Sequence, residues 1–199
     1  MAEQIAFGTP TVGRTRLAVA KVMLVAVAVM GIGALGVTDA AASTKTVIRF
    51  TELPPQPVNG VVEKGVSFRF KVGGVASTDA TYGGSGPGQL KYVQDPSLEG
   101  NAAGVLTLKW ATPTVLVKFG IARSSGTPLT PGVTVKLYDA TGALIGTFHK
   151  ALAPITGYPP FDEGLFDHTS TVAVAKAVIT FNSPTSATRF ALDNLTYFV

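Results

Sequence analysis

From residue 43 to the end of the chain, apolar residues recur at every second position, and the three-to-four spacing of an amphipathic helix is nearly absent. In "GVSFRFKV", Val66, Phe68, Phe70 and Val72 fall on one face while Ser67, Arg69 and Lys71 fall on the other, as a half-buried strand requires. The run "TVLVKFGIA" repeats the pattern through Val115, Val117, Phe119 and Ile121, and "GVTVKLYDATGALIGTFHK" reads as two strands joined by a tight turn at "DATG". With "TVAVAKAVITF" and the closing "RFALDNLTYF", about eight strands divided by Gly, Pro, Ser, Asp and Asn predict an all-β antiparallel β-sandwich of jelly-roll type. Two connections, residues 73–104 and 150–170, exceed a simple turn and are where function is expected to sit.

The first 42 residues obey a different rule. Arg14, Arg16 and Lys21 precede the uncharged run Val22–Val37, and an Ala40-x-Ala42 step follows, which are the three parts of a secretory signal peptide cut before Ser43. An uncleaved anchor is the alternative, since a bilayer accepts roughly 17 apolar residues, but Gly31, Gly33 and Gly36 weaken a permanent span. Either way residues 43–199 are expected to leave the cytoplasm, secreted or held in the cell envelope, as one domain with no further membrane span. Loss of the leader takes Arg14, Arg16, Lys21, Glu3 and Asp39 and lowers the formal charge only from +4 to +3. The remaining Lys and Arg stand singly along strands, a pattern of solvated faces that argues against a nucleic-acid footprint.

Several chemistries drop out. Without cysteine there is neither a disulfide nor a thiolate site or nucleophile. His149 and His168 lack partners at metal-ligand spacing, so zinc is not expected, and no Gly-x-Ser-x-Gly elbow or Walker loop occurs. The densest acidic group is "FDEGLFDH", with Asp162, Glu163 and Asp167. A glycoside hydrolase would pair two such carboxylates at a set separation, but a structural turn at Gly164 pinned by Phe166 explains the segment more simply, with Glu163 as a ligand-binding candidate. Trp110 is in phase with Leu106 and Leu108 and is assigned to the core.

Taken together, "IRFTELPPQPVNGVVEKGVSFRF", "GVLTLKW" followed by "VLVKFG", "DEGLF" and the closing "RFALDNLTYF" resemble secreted jelly-roll domains similar to galactose-binding-like carbohydrate-binding modules. The resemblance implies that the first and last strands lie side by side and that Glu52 and Asp193 help to hold a structural calcium, whose preference is for oxygen ligands. The alternative for Asp193 and Asn194 is a β-bulge or a solvent-facing pair. Sugar recognition commonly uses an aromatic face, for which Tyr82, Tyr92 and Tyr158 are candidates, with Tyr92 and Tyr158 foremost; each would otherwise anchor a loop to the core.

The expected function is an exported, non-catalytic module that binds polysaccharide, a cell-surface glycan or another extracellular component. A structural or adhesive protein without a small ligand is the alternative, and a hydrolase built on Asp162, Glu163 and Asp167 a third.

Overall fold

The computed structural model describes residues 43–125, 130–155, 161–182 and 188–199. Residues 1–42, where the leader is expected, and Tyr158 lie outside the described residues. The described residues contain no helix and form strands β1 (Lys45–Ile48), β2 (Gln56–Pro57), β3 (Val62–Glu63), β4 (Val66–Val72), β5 (Val75–Ala76), β6 (Thr81–Gly84) and β7 (Ser97–Asn101). They continue with β8 (Gly104–Arg123), β9 (Val133–Tyr138), β10 (Leu144–Lys150), β11 (Ala153–Pro154), β12 (Asp162–Phe181) and β13 (Arg189–Phe198). Every pairing is antiparallel, as the expected fold class requires.

Two strands organise the sandwich. β8 and β12 each run for 20 residues, twice the usual upper length of a strand, and serve both layers by bending. In the first layer Val105–Lys109 of β8 pairs with β4 on one side and with Lys176–Thr180 of β12 on the other, and β12 continues to β9 and β10. In the second, Leu116–Arg123 of β8 pairs with Asp162–Thr169 of β12 and with β13, which leads on through β7 and β6 to β2. The corners are visible in sequence terms: the β8–β12 register breaks between Thr169 and Val174, and Ala111–Pro113 and Thr171–Ala173 are exposed while their flanks alternate.

Between the layers the inward residues interlock as rings. Phe50, Phe68 and Tyr82 meet edge to face with centroids 5.0–6.0 Å apart, Phe181 stacks on Phe190 at 3.8 Å, and Trp110 packs against Tyr197. Trp110 is thus a core residue, as its phase indicated. Leu106, Leu108, Val135, Leu137 and Ile179 fill the rest.

β1 does lie beside β13, with Ile48 opposite Leu195. Midway along β13, Asn194 takes a left-handed backbone (φ 55°) and the pairing with β8 slips between Asp193 and Thr196. This bulge reverses the phase: Phe190 and Leu192 point inward before it, Leu195 and Tyr197 after it. Without the extra residue at the bulge, alternation from Phe190 and Leu192 would carry the inward row on to Asn194, Thr196 and Phe198.

The two long connections are more ordered than their composition indicates. Residues 73–104 contain β5, β6 and β7, and Tyr82 sits wholly inside the core instead of on a loop. Their glycines fill a steric need: a Cβ at Gly100 would lie 2.7 Å from Phe190, and one at Gly104 would lie 2.1 Å from Phe70. In the second connection β12 already begins at Asp162, so Gly164 is a strand residue with Leu152 over it, and its φ is not positive.

Candidate functional site

One chain segment covers the outer face of the second layer. Residues 85–96 lay Leu90 and Val93 on Ala122 of β8 and Ala191 of β13, with Ile155 and Phe161 completing a small apolar cluster. The approach is close enough that a Cβ on Gly120 would fall 1.8 Å from the Tyr92 carbonyl oxygen. Glu163 pins the same segment, for its carboxylate accepts from the backbone N–H of Lys91 (3.3 Å) and of Tyr92 (3.0 Å). Two expected ligand-binding residues, Tyr92 and Glu163, are therefore neighbours, and Glu163 acts by positioning the segment that carries Tyr92.

Tyr92 forms one wall of an open groove of about 450 Å³ between β10 and the first half of β12, lined also by Phe148, His149, Lys150, Asp167 and His168. His168 packs on the Phe148 ring with centroids 4.2 Å apart, and Phe166 below stacks on Phe119 at 5.0 Å, so the floor is rigid and apolar. Polar groups stand around the rim: Asp167, in an exposed ion pair with Lys118 (2.6 Å), and His149, within 3.2 Å of Thr134. The Lys91 ammonium lies 4.9 Å from the Tyr92 ring centroid. An aromatic wall with a few converging polar groups can hold the apolar face of a sugar while bonding its hydroxyls.

The first metal candidate, Asp193, stands beside the same covering segment: it faces Gly120 across the β8–β13 pairing, and the side-chain amide of its neighbour Asn194 lies 3.5 Å from the Tyr92 carbonyl. Asp193 is buried at the bulge, where it accepts from the N–H groups of Gln94 (3.1 Å) and Asn194 (2.6 Å) and from the Asn194 side-chain amide (2.9 Å). Burial pushes its pKa up to about 6; the hydrogen bonds from Asn194 and Gln94 oppose this, and the nearby charge of Glu52 adds to it. Beside it opens a cleft of about 350 Å³ lined by Arg49, Thr51, Gln94, Asp95 and Asn194.

Glu52 turns away from this cleft. One carboxylate oxygen takes the Lys64 ammonium (2.7 Å) and the Arg49 N–H (3.0 Å), and the other takes the Tyr82 hydroxyl (2.9 Å). Burial acts to raise Glu52, but the bonds from Lys64, Arg49 and Tyr82 outweigh it and hold the pKa down at about 2. Among the described residues no three acidic or histidine side chains gather as a metal-binding group.

Strand alternation sends Asp162 inward and both Glu163 and Asp167 outward, where the two take different partners. Asp162 faces inward and forms a buried pair with Arg123, whose guanidinium also donates to the Asn182 carbonyl. Glu163 faces outward to the Tyr92 segment, and Asp167 pairs with Lys118 in solvent. The three carboxylates thus have three separate partners.

Gly120, Gln94 and the two histidines were not legible as site residues. Gly120 matters only because another segment crosses it, and His168 matters only because β10 brings Phe148 to it. Among the described residues no helix is long and apolar enough to cross a membrane.

The chain matches no protein-family model, and none of the curated proteins matches it in sequence. Among solved structures it is similar to a family 29 carbohydrate-binding module, with a TM-score of 0.42, 10% identity, and coverage of 78% of this chain and 88% of that one. A variant of such a module complexed with mannohexaose gives 0.41, 12%, 78% and 92%. The K2 cleaved adhesin domain of Lys-gingipain gives 0.46, 9%, 77% and 97%.

Proposed function

We propose that this chain is an exported, non-catalytic binding module for carbohydrate, with the groove walled by Tyr92 as its ligand site. The observation that carries this reading is the convergence of Tyr92, Phe148 and His168 with Asp167, His149 and Lys150 around one open concavity. A sugar ring presents an apolar face and a rim of hydroxyls, and this concavity offers the complement of both. Glu163 contributes by fixing the backbone that carries Tyr92. Support for a binding role over hydrolysis comes from the separate engagement of the three carboxylates: Asp162 pairs with Arg123 in the interior, Glu163 holds the Lys91 and Tyr92 N–H groups, and Asp167 pairs with Lys118.

A structural calcium belongs to the same reading. The cleft beside Asp193 is lined by the oxygen-bearing Thr51, Gln94, Asp95 and Asn194, which suit calcium in kind, and by the cationic Arg49, which would have to swing aside. Asp193 would hold the ion, with Asp95 joining through the oxygens that now accept from the Gly86 and Gly88 N–H groups. Glu52 would join only on releasing Lys64.

A glycan array probed with the full chain and with Tyr92→Ala tests the proposal. Saturable binding of a polysaccharide is expected, and Tyr92→Ala is expected to weaken it at least about fivefold, since stacking of a ring on an aromatic side chain contributes roughly 1–3 kcal/mol. A folded protein that binds no glycan, or a Tyr92→Ala variant that binds unchanged, would overturn it.

A further inference from the structure

Read along the sequence, the basic residues of β4, β8, β9 and β12 stand apart; the strand registers bring them onto one face. Ser67 lies opposite Lys109, Lys109 opposite Lys176, and Lys176 opposite Tyr138. One row further, Arg69 lies opposite Thr107, Thr107 opposite Val178, and Val178 opposite Lys136. In the third row Lys71, Val105, Thr180 and Thr134 align in the same way, and β10 extends it with His149. All these side chains point out of the first layer, because their neighbours Phe68, Phe70, Leu106, Leu108, Val135, Leu137, Ala177 and Ile179 point in.

The resulting face is flat, five strands wide, and carries Arg69, Lys71, Lys109, Lys136 and Lys176 without one acidic residue in its three rows. At ordinary strand spacings it measures roughly 19 by 13 Å. None of the five cations forms an ion pair within the described residues. The turn carboxylate of Asp139 borders a small concavity with Lys109 and Lys176; it is held by the Thr141 hydroxyl and the N–H groups of Thr141 and Ala143 and stays charged, so five cations face one anion at the rim. Lys109 and Lys176 are direct cross-strand partners, and like charges so placed destabilise a sheet.

We infer that this face docks an anionic linear polysaccharide bearing carboxylate or sulfate groups, on a surface that meets the Tyr92 groove only at the β10 edge, where His149 borders both. Charge complementarity selects an anion, and the flatness selects an extended one. Hydroxyls interleave with the cations at Thr107, Thr134 and Thr180, which suits sugar and acid oxygens alike. A nucleic acid is disfavoured, because among the described residues this face is a flat sheet from which no element projects to enter a groove.

The test uses the full chain with heparin as the sulfated probe, polygalacturonate as the carboxylated one, and neutral dextran as the uncharged control. Duplex DNA and phosphatidylserine vesicles complete the set. Binding to heparin or polygalacturonate is expected, with affinity falling steeply between about 50 and 200 mM salt, and the probe that binds identifies the acidic group. The double variant Lys109→Gln/Lys136→Gln should weaken binding about tenfold or more, whereas Lys45→Gln, which removes an exposed charge elsewhere, should leave it intact. Failure of both acidic polysaccharides to bind would overturn the inference, as would binding that the double variant leaves unchanged. Capture of DNA or vesicles in preference to either polysaccharide would also overturn it.

Discussion

Replacing Asp162 by Asn tests the packing of β8 against β12. Arg123 and Asp162 are both fully buried, with Nη2 2.5 Å from Oδ2 and Nε 3.3 Å from Oδ1. Asp162→Asn keeps the shape and deletes the negative charge, leaving a guanidinium in the core without its counter-charge. Breaking a buried pair in this way costs about 3–5 kcal/mol, against a total stability of roughly 5–15 kcal/mol for a domain. At roughly 2–4 °C per kcal/mol for a domain of this size, the thermal midpoint should fall by roughly 6–20 °C. Urea denaturation followed by tryptophan fluorescence measures the same quantity, since Trp110 sits in the core. Removing both charges in Arg123→Met/Asp162→Leu should destabilise less than Asp162→Asn alone, because no ion is then stranded, although the Asn182 carbonyl loses a donor. A drop below about 2 °C for Asp162→Asn, or a double variant less stable than the single, would refute the reasoning.

Two further outcomes follow from the second layer. With Asp193 raised to about 6 against about 3.9 in the unfolded chain, the folded state favours the protonated form. Stability from this group is complete below about pH 4 and is lost as pH rises through 6, by up to roughly 3 kcal/mol; denaturation midpoints between pH 4 and 8 should show the decline, and Asp193→Asn should flatten it. Glu52, held at about 2, has the opposite sign: its stabilisation is in place above about pH 4.5 and is lost as pH falls towards 2. For Gly120→Ala, the new Cβ would overlap the Tyr92 carbonyl at 1.8 Å, so the segment must lift: a loss of about 1–3 kcal/mol by denaturation, together with weaker glycan binding, is expected, and a neutral result would place the Tyr92 segment elsewhere.

What the chain's own pattern settled was the element type and the choice of faces. Alternation in "FRFK", "LTLKW" and "TVKLY" is enough to put Phe68, Leu108 and Leu137 inside and Arg69, Lys109 and Lys136 outside, because a strand's side chains alternate whatever it pairs with. The "DATG" turn was equally local: Asp139 binds its own backbone two and four residues on. Short strands rich in glycine were not legible, since "TYGG" and "SLEGN" show too few alternations to declare themselves and are held by Phe50, Phe190 and their neighbours. The bulge at Asp193 and Asn194 stood only as one of two readings, because a left-handed Asn is compatible with many contexts until its partner strand slips.

Only tertiary structure decided which residues work together. Glu163 meets Lys91 and Tyr92 from about seventy positions away, Phe148 meets His168 from a separate strand, and five scattered cations become one surface. Each of these depends on inter-strand register, which arises from burying all the apolar faces at once. A local sequence fixes the direction in which a side chain points, but its neighbours are chosen by the whole sandwich.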